Sequence, residues 1–192
     1  MPSLKIRIYF TERDKGIIAR MVAERVALAL RGRAFGKRKI DTRKQELIEL
    51  DGARAECAVA RYFRLPLLPR RSLGDNGVDF LIGEYTADVK GTRWQDGHLV
   101  FVDEKRFRAD RAILVETFSE DYADICGWIT REEFLQKKYF PSFLKSKSPA
   151  VHQTSLNDMR DWDGSLTKRR EADAREFAER QRRVQAQTGL RL

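Results

Sequence analysis

The stretch from Gly74 to Trp94, GDNGVDFLIGEYTADVKGTRW, decides the fold, because two short apolar runs flank a glycine near its centre. A two-residue loop that begins with glycine is typical of a type II′ β-hairpin, so Gly83 and Glu84 are predicted to form the turn. With that loop, each residue before the turn pairs with its mirror image after the turn, and Asp79 lies opposite Asp88. The sequence therefore predicts a hairpin with two facing carboxylates.

The facing acids need a physical explanation, because like charges directly opposite each other destabilise a β-sheet. Strand alternation places Lys90 on the same face as Asp88, so three ionisable groups meet on one patch. In one alternative this face is solvated and the acids point into water. Leu81 interrupts the polar face, however, which indicates that both faces are at least partly buried. Two carboxylates in such a place favour a cation between them, and oxygen ligands favour magnesium or manganese over zinc.

A third acid lies on the helical stretch DGARAECAVARYF, residues 51–63. Helical spacing places Glu56 on the same face as apolar residues such as Val59, while Arg54 and Arg61 mark the opposite face, which is expected to be exposed. A buried glutamate without a partner is costly, so Glu56 is a candidate third acid of a metal site. In the alternative, Glu56 lies at the edge of the apolar face and reaches solvent or pairs with an arginine.

Apolar residues recur at helical spacing in two segments before the hairpin. They predict one helix from Glu12 to about Leu30 and a second from about Asp41 to Phe63, with Gly52 as a point of bending. The predicted strands are Val78–Ile82, Tyr85–Lys90, His98–Val102, Ala112–Phe118 and Tyr122–Ile129, and Thr130 is a good N-cap for a helix over Arg131–Lys138. Helices, a strand meander and a further helix indicate an α/β protein with a mixed central β-sheet flanked by helices.

Composition divides the 192-residue chain into three parts. Residues 1–45 are an N-terminal helical and basic segment, and residues 46–150 contain the predicted sheet and form the core. Residues 151–192 are a loop followed by a highly charged basic helix with little apolar face, which needs a partner or remains a tail.

The charge of the chain points to a polyanionic partner. Thirty-eight basic residues against twenty-nine acidic residues give a net charge of +9, which suits nucleic acid first and an anionic membrane surface second. The segment Arg31–Lys44 holds seven of the basic residues and one acid, although a solvated loop between helices would explain the same run. No apolar face accompanies it, which favours nucleic acid over a membrane. Lys37, Arg38 and Lys39 are therefore candidate nucleic-acid contacts.

Several other classes of protein are disfavoured. No apolar run approaches the length of a transmembrane helix, and the N-terminus lacks the apolar core and cleavage site of a signal peptide. Cys57 and Cys126 lie far apart in apolar segments, which predicts buried free thiols and a cytoplasmic protein. With only two cysteines and two histidines, a structural zinc site is unfavourable. His98 and His152 are interpreted as ordinary surface or core residues, and no motif for a nucleophilic enzyme or a phosphate loop is present.

Together these residues resemble the PD-(D/E)XK nuclease superfamily, which has the restriction-endonuclease-like fold. The tetrapeptide GVDF, which contains Asp79, corresponds to the family's PD motif with valine in place of proline, and Asp88-Val89-Lys90 corresponds to the (D/E)XK motif. Glu56 on the preceding helix completes the pattern. The later segment ADICGWITREEFLQKKYF is similar to the family's closing strand and helix, so the resemblance covers roughly residues 52–139.

The resemblance implies a phosphodiesterase that cleaves DNA with Mg²⁺ or Mn²⁺. By analogy, Asp79, Asp88 and the carbonyl of Val89 would bind the metal, and Glu56 would assist through a water or directly at a second site. Lys90 would position the attacking water and stabilise the negative charge that builds up on the phosphate.

Thr92, Arg93 and Trp94 follow the second hairpin strand and are candidate contacts to the phosphate backbone or to a base, although for Trp94 a core position is an equal alternative. The leading hypothesis is a DNA endonuclease, such as a structure-selective enzyme like the Holliday junction resolvases, and a homodimer is an option by analogy. The alternative is a non-catalytic nucleic-acid-binding protein with a nuclease-like fold. A weaker third interpretation is an interaction subunit that docks through its charged terminal helix.

Overall fold

A mixed β-sheet is the centre of the fold in a computed structural model, which describes residues 4–33, 42–67, 77–144 and 148–163. The strands are β1 (Ile6–Tyr9), β2 (Phe80–Ile82), β3 (Tyr85–Thr92), β4 (His98–Val100), β5 (Arg111–Glu116), β6 (Tyr122–Thr130) and β7 (Ala150–His152), and the α-helices are α1 (Glu12–Arg33), α2 (Thr42–Phe63) and α3 (Arg131–Lys137). Five strands form the central sheet in the order β1-β6-β5-β3-β2, and β4 pairs with β7. The predicted α/β class with a mixed sheet flanked by helices is confirmed, while a restriction-endonuclease-like fold stays a prediction.

The hairpin of β2 and β3 has the predicted register. Phe80 pairs with Ala87 and Ile82 pairs with Tyr85 across the turn. Gly83 has a φ of 65°, which lies in the left-handed region that favours glycine. A local signal, one glycine between two apolar runs, was therefore sufficient to fix the pairing.

The two strands of the hairpin differ in burial. β2 is the edge strand of the sheet and begins at Phe80, so Asp79 lies just before it rather than within it. Leu81 is 65% exposed, so the expectation that both faces of the first hairpin strand are at least partly buried is wrong at this residue. β3 lies between β2 and β5, and Asp88 and Val89 are buried there.

The connection from β3 to β5 departs from the predicted meander. The two strands are parallel neighbours, with Lys90 beside Leu114, and a parallel pair requires a crossover connection. That crossover contains β4, which leaves the central sheet and pairs with β7 through His98 and His152. At the opposite edge, β1 pairs antiparallel with β6, so the N-terminal segment contributes a strand that the sequence did not reveal.

Helices α1 and α2 cover one face of the central sheet. Buried apolar side chains fill this layer, among them Met21, Val59, Val89, Ile113 and Ile125. Gly91 of β3 permits the close approach of α2, because a Cβ atom there would lie 2.4 Å from the carbonyl oxygen of Asp51. The helix that carries Glu56 is thus held directly against the strand that carries Asp88.

The other face of the sheet carries a second apolar layer. The rings of Phe101 and Phe107 stack at 4.6 Å, and Phe134 of α3 meets both edge-on. Helix α3 begins as predicted, because the Thr130 hydroxyl accepts from the backbone N–H of Glu133 and the Glu133 carboxylate accepts from the backbone N–H of Thr130. This layer supports the face of β3 on which Asp88 lies.

The remaining predictions have mixed outcomes. Helix α2 passes through Gly52 without interruption, and Cys57 and Cys126 are buried free thiols as expected. The basic residues Lys37, Arg38 and Lys39 and the predicted C-terminal helix lie outside the described residues. Within the described ranges, no helix has the length and the apolar composition needed to cross a membrane.

Candidate acidic site on the hairpin

Asp79 is held against the backbone of β3. Its carboxylate oxygen Oδ2 accepts a hydrogen bond of 2.6 Å from the backbone N–H of Val89, and its own backbone N–H donates to the carbonyl of Ala87 at 2.8 Å. The Asp79 side chain therefore accepts from a β3 backbone N–H just beyond the last residue pair of β2 and β3. As a result, one Asp79 oxygen lies beside the peptide unit that joins Asp88 to Val89.

Asp88 and Lys90 form an ion pair on the same face of β3. The Lys90 Nζ lies 2.5 Å from Oδ1 of Asp88, whose side chain is only 3% exposed, whereas the Lys90 side chain is 36% exposed. The Lys90 ammonium also lies 5.1 Å from the centre of the Phe101 ring. A carboxylate as buried as that of Asp88 needs a cation nearby, and Lys90 supplies one while still reaching solvent.

Glu56 lies on the buried side of α2, next to a cavity that Asp79 also lines. Its Oε2 accepts from Nη2 of Arg25 on α1 at 2.6 Å, and both side chains are nearly buried. Glu56 and Asp79 line one cavity of about 230 Å³, whose other lining residues are Leu65, Pro66, Leu67, Phe80 and Leu81. The structure thus brings Glu56 to the same cavity as Asp79, and it also gives Glu56 the arginine partner of the alternative interpretation.

The expected exposed face of α2 is only partly exposed. The Arg61 side chain is 41% exposed and pairs with Asp14, but the Arg54 side chain is only 12% exposed. Arg54 donates to the carbonyl of Thr117, so the prediction of an exposed Arg54 is wrong. Helical spacing failed here because the second half of α2 is covered on nearly all sides.

The donor set of the hairpin fits a hard metal ion held by few protein ligands. Asp79 and Asp88 offer carboxylate oxygens on either side of one peptide unit, and Mg²⁺ is usually bound by one or two carboxylates together with waters and substrate phosphates. Across the described parts of the chain, no group of three or more histidine, cysteine or acidic side chains could hold a metal ion. A site of two carboxylates, Asp79 and Asp88, is consistent with this, and Glu56 as a further ligand stays a prediction.

The predicted nucleic-acid contacts on β3 have separate surroundings. Thr92 accepts at its carbonyl from the backbone N–H of Thr117. Arg93 pairs with Asp51 at 2.6 Å and donates to the carbonyl of Leu47, so its guanidinium is tied to α2. Trp94 is 73% exposed, which removes the core alternative for this residue.

Two parts of the site could not be found from the sequence. No local pattern predicts the role of Arg25, because Arg25 and Glu56 are 31 residues apart in the chain and lie on different helices. His98, interpreted as an ordinary residue, contacts Tyr139 through its Nε2 at 2.5 Å and lines a cavity with Trp94. The aromatic residues around it are far apart in sequence, and the pairing of β4 with β7 and the bridge between Tyr139 and Ala150 bring them together.

Comparisons with protein-family models, with curated proteins and with solved structures found no match. The assignment of the hairpin acids therefore depends on the geometry of the site and on the resemblance of its short motif.

Proposed function

We propose that the chain is a metal-dependent DNA endonuclease whose active site is built on the hairpin of β2 and β3. The observation that supports this proposal best is the gathering of three groups at one peptide unit. Asp79 accepts from the N–H of Val89, Asp88 carries the adjacent carboxylate, and Lys90 lies 2.5 Å from Asp88. Two carboxylates and an ammonium near one peptide unit suit hydrolysis of a phosphodiester, because the acids can hold a metal ion and the ammonium can stabilise negative charge.

Each residue has a role that follows from its surroundings. Asp79 and Asp88 would hold Mg²⁺ or Mn²⁺, which when bound supplies positive charge at a phosphate and acidifies water. Lys90 reaches solvent through its partly exposed side chain, so its ammonium can donate to a water or to a phosphate oxygen. Glu56 shares a cavity with Asp79 and would orient water there. The carbonyl of Val89 is proposed as a further ligand.

The net charge of +9 supports DNA as the partner. A structure-selective endonuclease like the Holliday junction resolvases, active as a homodimer, is the proposed subtype, because enzymes of this kind cut two strands. Thr92 ends β3 and Trp94 follows it, and Lys37, Arg38 and Lys39 belong to the most basic segment of the chain. These five residues are the proposed DNA contacts, and Arg93 is proposed to contribute less.

A cleavage panel tests the proposal directly. The full-length protein is incubated with Mg²⁺ or Mn²⁺ and with plasmid, single-stranded, forked and four-way-junction DNA. We expect cleavage of at least one of these, lost in Asp88→Asn and Lys90→Ala while circular dichroism shows that both variants are folded. The exposed lysine variant Lys105→Ala is the matched control and should cleave normally. If no DNA is cut with either metal, the enzyme proposal fails.

A non-catalytic nucleic-acid-binding protein is the second candidate. It is favoured by the two internal ion pairs, Lys90 with Asp88 and Arg25 with Glu56, because both could serve stability alone. In that case the protein would bind DNA with a strong salt dependence and would leave every substrate of the panel intact.

A further inference from the structure

A group of aromatic rings lies beyond the end of β3, and three of them line a cavity of about 450 Å³. We call it the aromatic groove and define it by Trp94, His98, Tyr139 and Phe143. Trp94 and Phe143 line the cavity and are 73% and 63% exposed, and Tyr139 is 42% exposed. The His98 ring lies 5.1 Å from the ring of Phe143 and 5.9 Å from that of Tyr139. Exposed apolar rings in one place mark a binding surface more often than isolated ones do.

The loop that carries Trp94 is held in one conformation. Gly97 permits its tight path, because a Cβ atom there would lie 2.7 Å from the Thr92 side chain. Asp96 has a φ of 53°, which is uncommon for a residue other than glycine. Two buried side chains stabilise that conformation: the Glu116 carboxylate accepts from the Asp96 N–H at 3.0 Å, and Gln153 donates to the Asp96 carboxylate at 2.7 Å.

The held backbone around Trp94 favours binding of a ligand. A backbone that is already held in place loses little conformational entropy when a ligand covers the loop that carries Trp94. The strained backbone at Asp96 persists only because its neighbours determine it, and such strain clusters at functional sites. Trp94 is therefore presented to solvent in advance of any partner.

The aromatic groove is continuous with the proposed active site. Residues two apart on a strand share a face, so Asp88, Lys90 and Thr92 lie on the same face of β3. Thr92 lines the cavity of the groove, and the distance along the strand from Lys90 to Thr92 is about 6.6 Å. Along the strand, Lys90 therefore lies between Asp88 and Thr92, and its partly exposed side chain can reach one phosphate.

We infer that the aromatic groove binds an unpaired base of a nucleic-acid strand, stacked on Trp94 and Phe143, while the neighbouring phosphate faces Lys90. The inference rests on the proposed function for the choice of nucleic acid as the partner. Flat rings bind bases of any sequence through their faces, and the excess of positive charge on the chain favours a polyanion over an apolar peptide. Burial, followed by the nearby His152, lowers the pKa of His98, so this ring is neutral when it meets a base at neutral pH.

Binding in the presence of EDTA tests the inference without any cleavage. Fluorescence anisotropy compares the affinity of the full-length protein for a labelled oligothymidylate and for a duplex of the same length. Trp94→Ala and Phe143→Ala should each weaken binding of the single strand about 5- to 150-fold, and Trp94→Phe should retain most of it. Tyr9→Ala is the matched control, because Tyr9 is 65% exposed on the opposite edge strand. Trp128 and Trp162 are buried, so the oligothymidylate should quench chiefly the fluorescence of Trp94.

The outcomes separate this inference from the proposed function. Loss of single-strand binding in Trp94→Ala supports the groove even if the wild-type protein cleaves nothing, in which case only the nuclease proposal fails. Equal weakening of duplex and single strand, no weakening at all, or no binding of oligothymidylate by the wild type overturns the inference. If Trp94→Ala changes the sedimentation coefficient of the protein but leaves DNA binding intact, the groove is a contact between copies of the chain. That result would also overturn the inference.

Discussion

Asp79 Oδ2 accepts a hydrogen bond of 2.6 Å from the backbone N–H of Val89. This bond fixes a carboxylate from the edge of β2 beside the strand that carries Asp88 and Lys90. It also explains why two acids can occupy facing positions in a hairpin, because one of them is stabilised by a backbone donor and the other by an ammonium. The acids are thus accommodated by local contacts, and these contacts hold the proposed metal ligands in place.

Asp79 has a structural and a proposed catalytic role, and two substitutions separate them. Asp79→Asn keeps a carbonyl oxygen that can accept from Val89, so the free energy of unfolding should stay within about 1 kcal/mol of wild type. Asp79→Ala removes the acceptor and should cost about 1–3 kcal/mol. Both should abolish cleavage, because an amide is a poor ligand for Mg²⁺. Urea denaturation and the cleavage panel measure the two effects, and an active Asp79→Asn would rule out Asp79 as a metal ligand.

The ion pair of Lys90 with Asp88 should be visible in a double-mutant cycle. Removing one member of a buried pair costs about 3–5 kcal/mol, and because Lys90 is 36% exposed at its side chain we expect about 1–3 kcal/mol for Lys90→Met. In the Asp88→Asn background the same change should cost clearly less, because no carboxylate is left behind. Thermal or urea unfolding of the four proteins gives the coupling energy. Equal costs in both backgrounds would mean that the contact does not stabilise the fold.

Substitution of Glu56 shows whether this residue takes part in cleavage or only stabilises the fold through its ion pair with Arg25. Glu56→Gln keeps an oxygen that can accept from Arg25, so unfolding should change little, but cleavage should fall about 10- to 100-fold, as expected for a group that supports a metal site. The matched variant is Arg25→Lys, which preserves the positive charge beside Glu56 and should lower stability more than activity. Normal cleavage by a folded Glu56→Gln would restrict Glu56 to its contact with Arg25.

Local chemistry was sufficient to predict the elements that carry the proposed site. Gly83 with its flanking apolar runs fixed the register of the hairpin, and Thr130 with Glu133 fixed the beginning of α3. In both cases the determining residues are within a few positions of each other, so the pattern can be read from the sequence without knowledge of tertiary contacts. The placement of Lys90 beside Asp88 followed from strand alternation alone.

The sheet topology and the surroundings of Arg54 and Trp94 depend on contacts between distant segments of the chain. The parallel pairing of β3 with β5 and the departure of β4 from the central sheet are set by packing of the crossover, which has no periodic signal. Arg54 was expected to be exposed because it lies opposite the apolar stripe, yet α2 is covered on that side as well. Trp94 was ambiguous because an aromatic residue after a strand is compatible with core or surface, and only the fixed loop around Asp96 and Gly97 decides it.

Arg111 offers a test of a buried cation that packs mainly against aromatic rings, with Asp110 and Glu133 close enough to attract its charge. Its guanidinium lies 3.5 Å from the centre of the Tyr85 ring, 4.2 Å from that of Trp128 and 4.8 Å from that of Trp162, and burial lowers its pKa. We expect Arg111→Met to cost less than about 1 kcal/mol, because an apolar side chain avoids desolvation of the charge. Arg111→Lys should cost about 2–4 kcal/mol, because an ammonium is more strongly hydrated and stacks poorly. Urea denaturation at neutral pH gives both values, and a loss of clearly more than about 1 kcal/mol in Arg111→Met would show that the rings stabilise the guanidinium by more than its burial costs.

Glu133 should make the protein sensitive to acid. Burial alone would raise the pKa of Glu133, but the backbone N–H of Thr130, the amide of Asn157 and the Thr130 hydroxyl outweigh it and lower the pKa. A carboxylate whose pKa is lowered in the folded state binds its proton more readily in the unfolded state. Its stabilising effect is therefore complete above the ordinary pKa of 4.5 and is lost as the pH falls through the pKa of the folded state. Between neutral pH and about pH 3, Glu133→Gln should therefore lose less stability than wild type. The exposed neighbour Glu132 provides the control, because Glu132→Gln should follow the wild-type curve. The measurement is the urea midpoint of unfolding at a series of pH values in this range. If the midpoints of Glu133→Gln and wild type fall by the same amount, the cap of α3 does not contribute to the acid sensitivity.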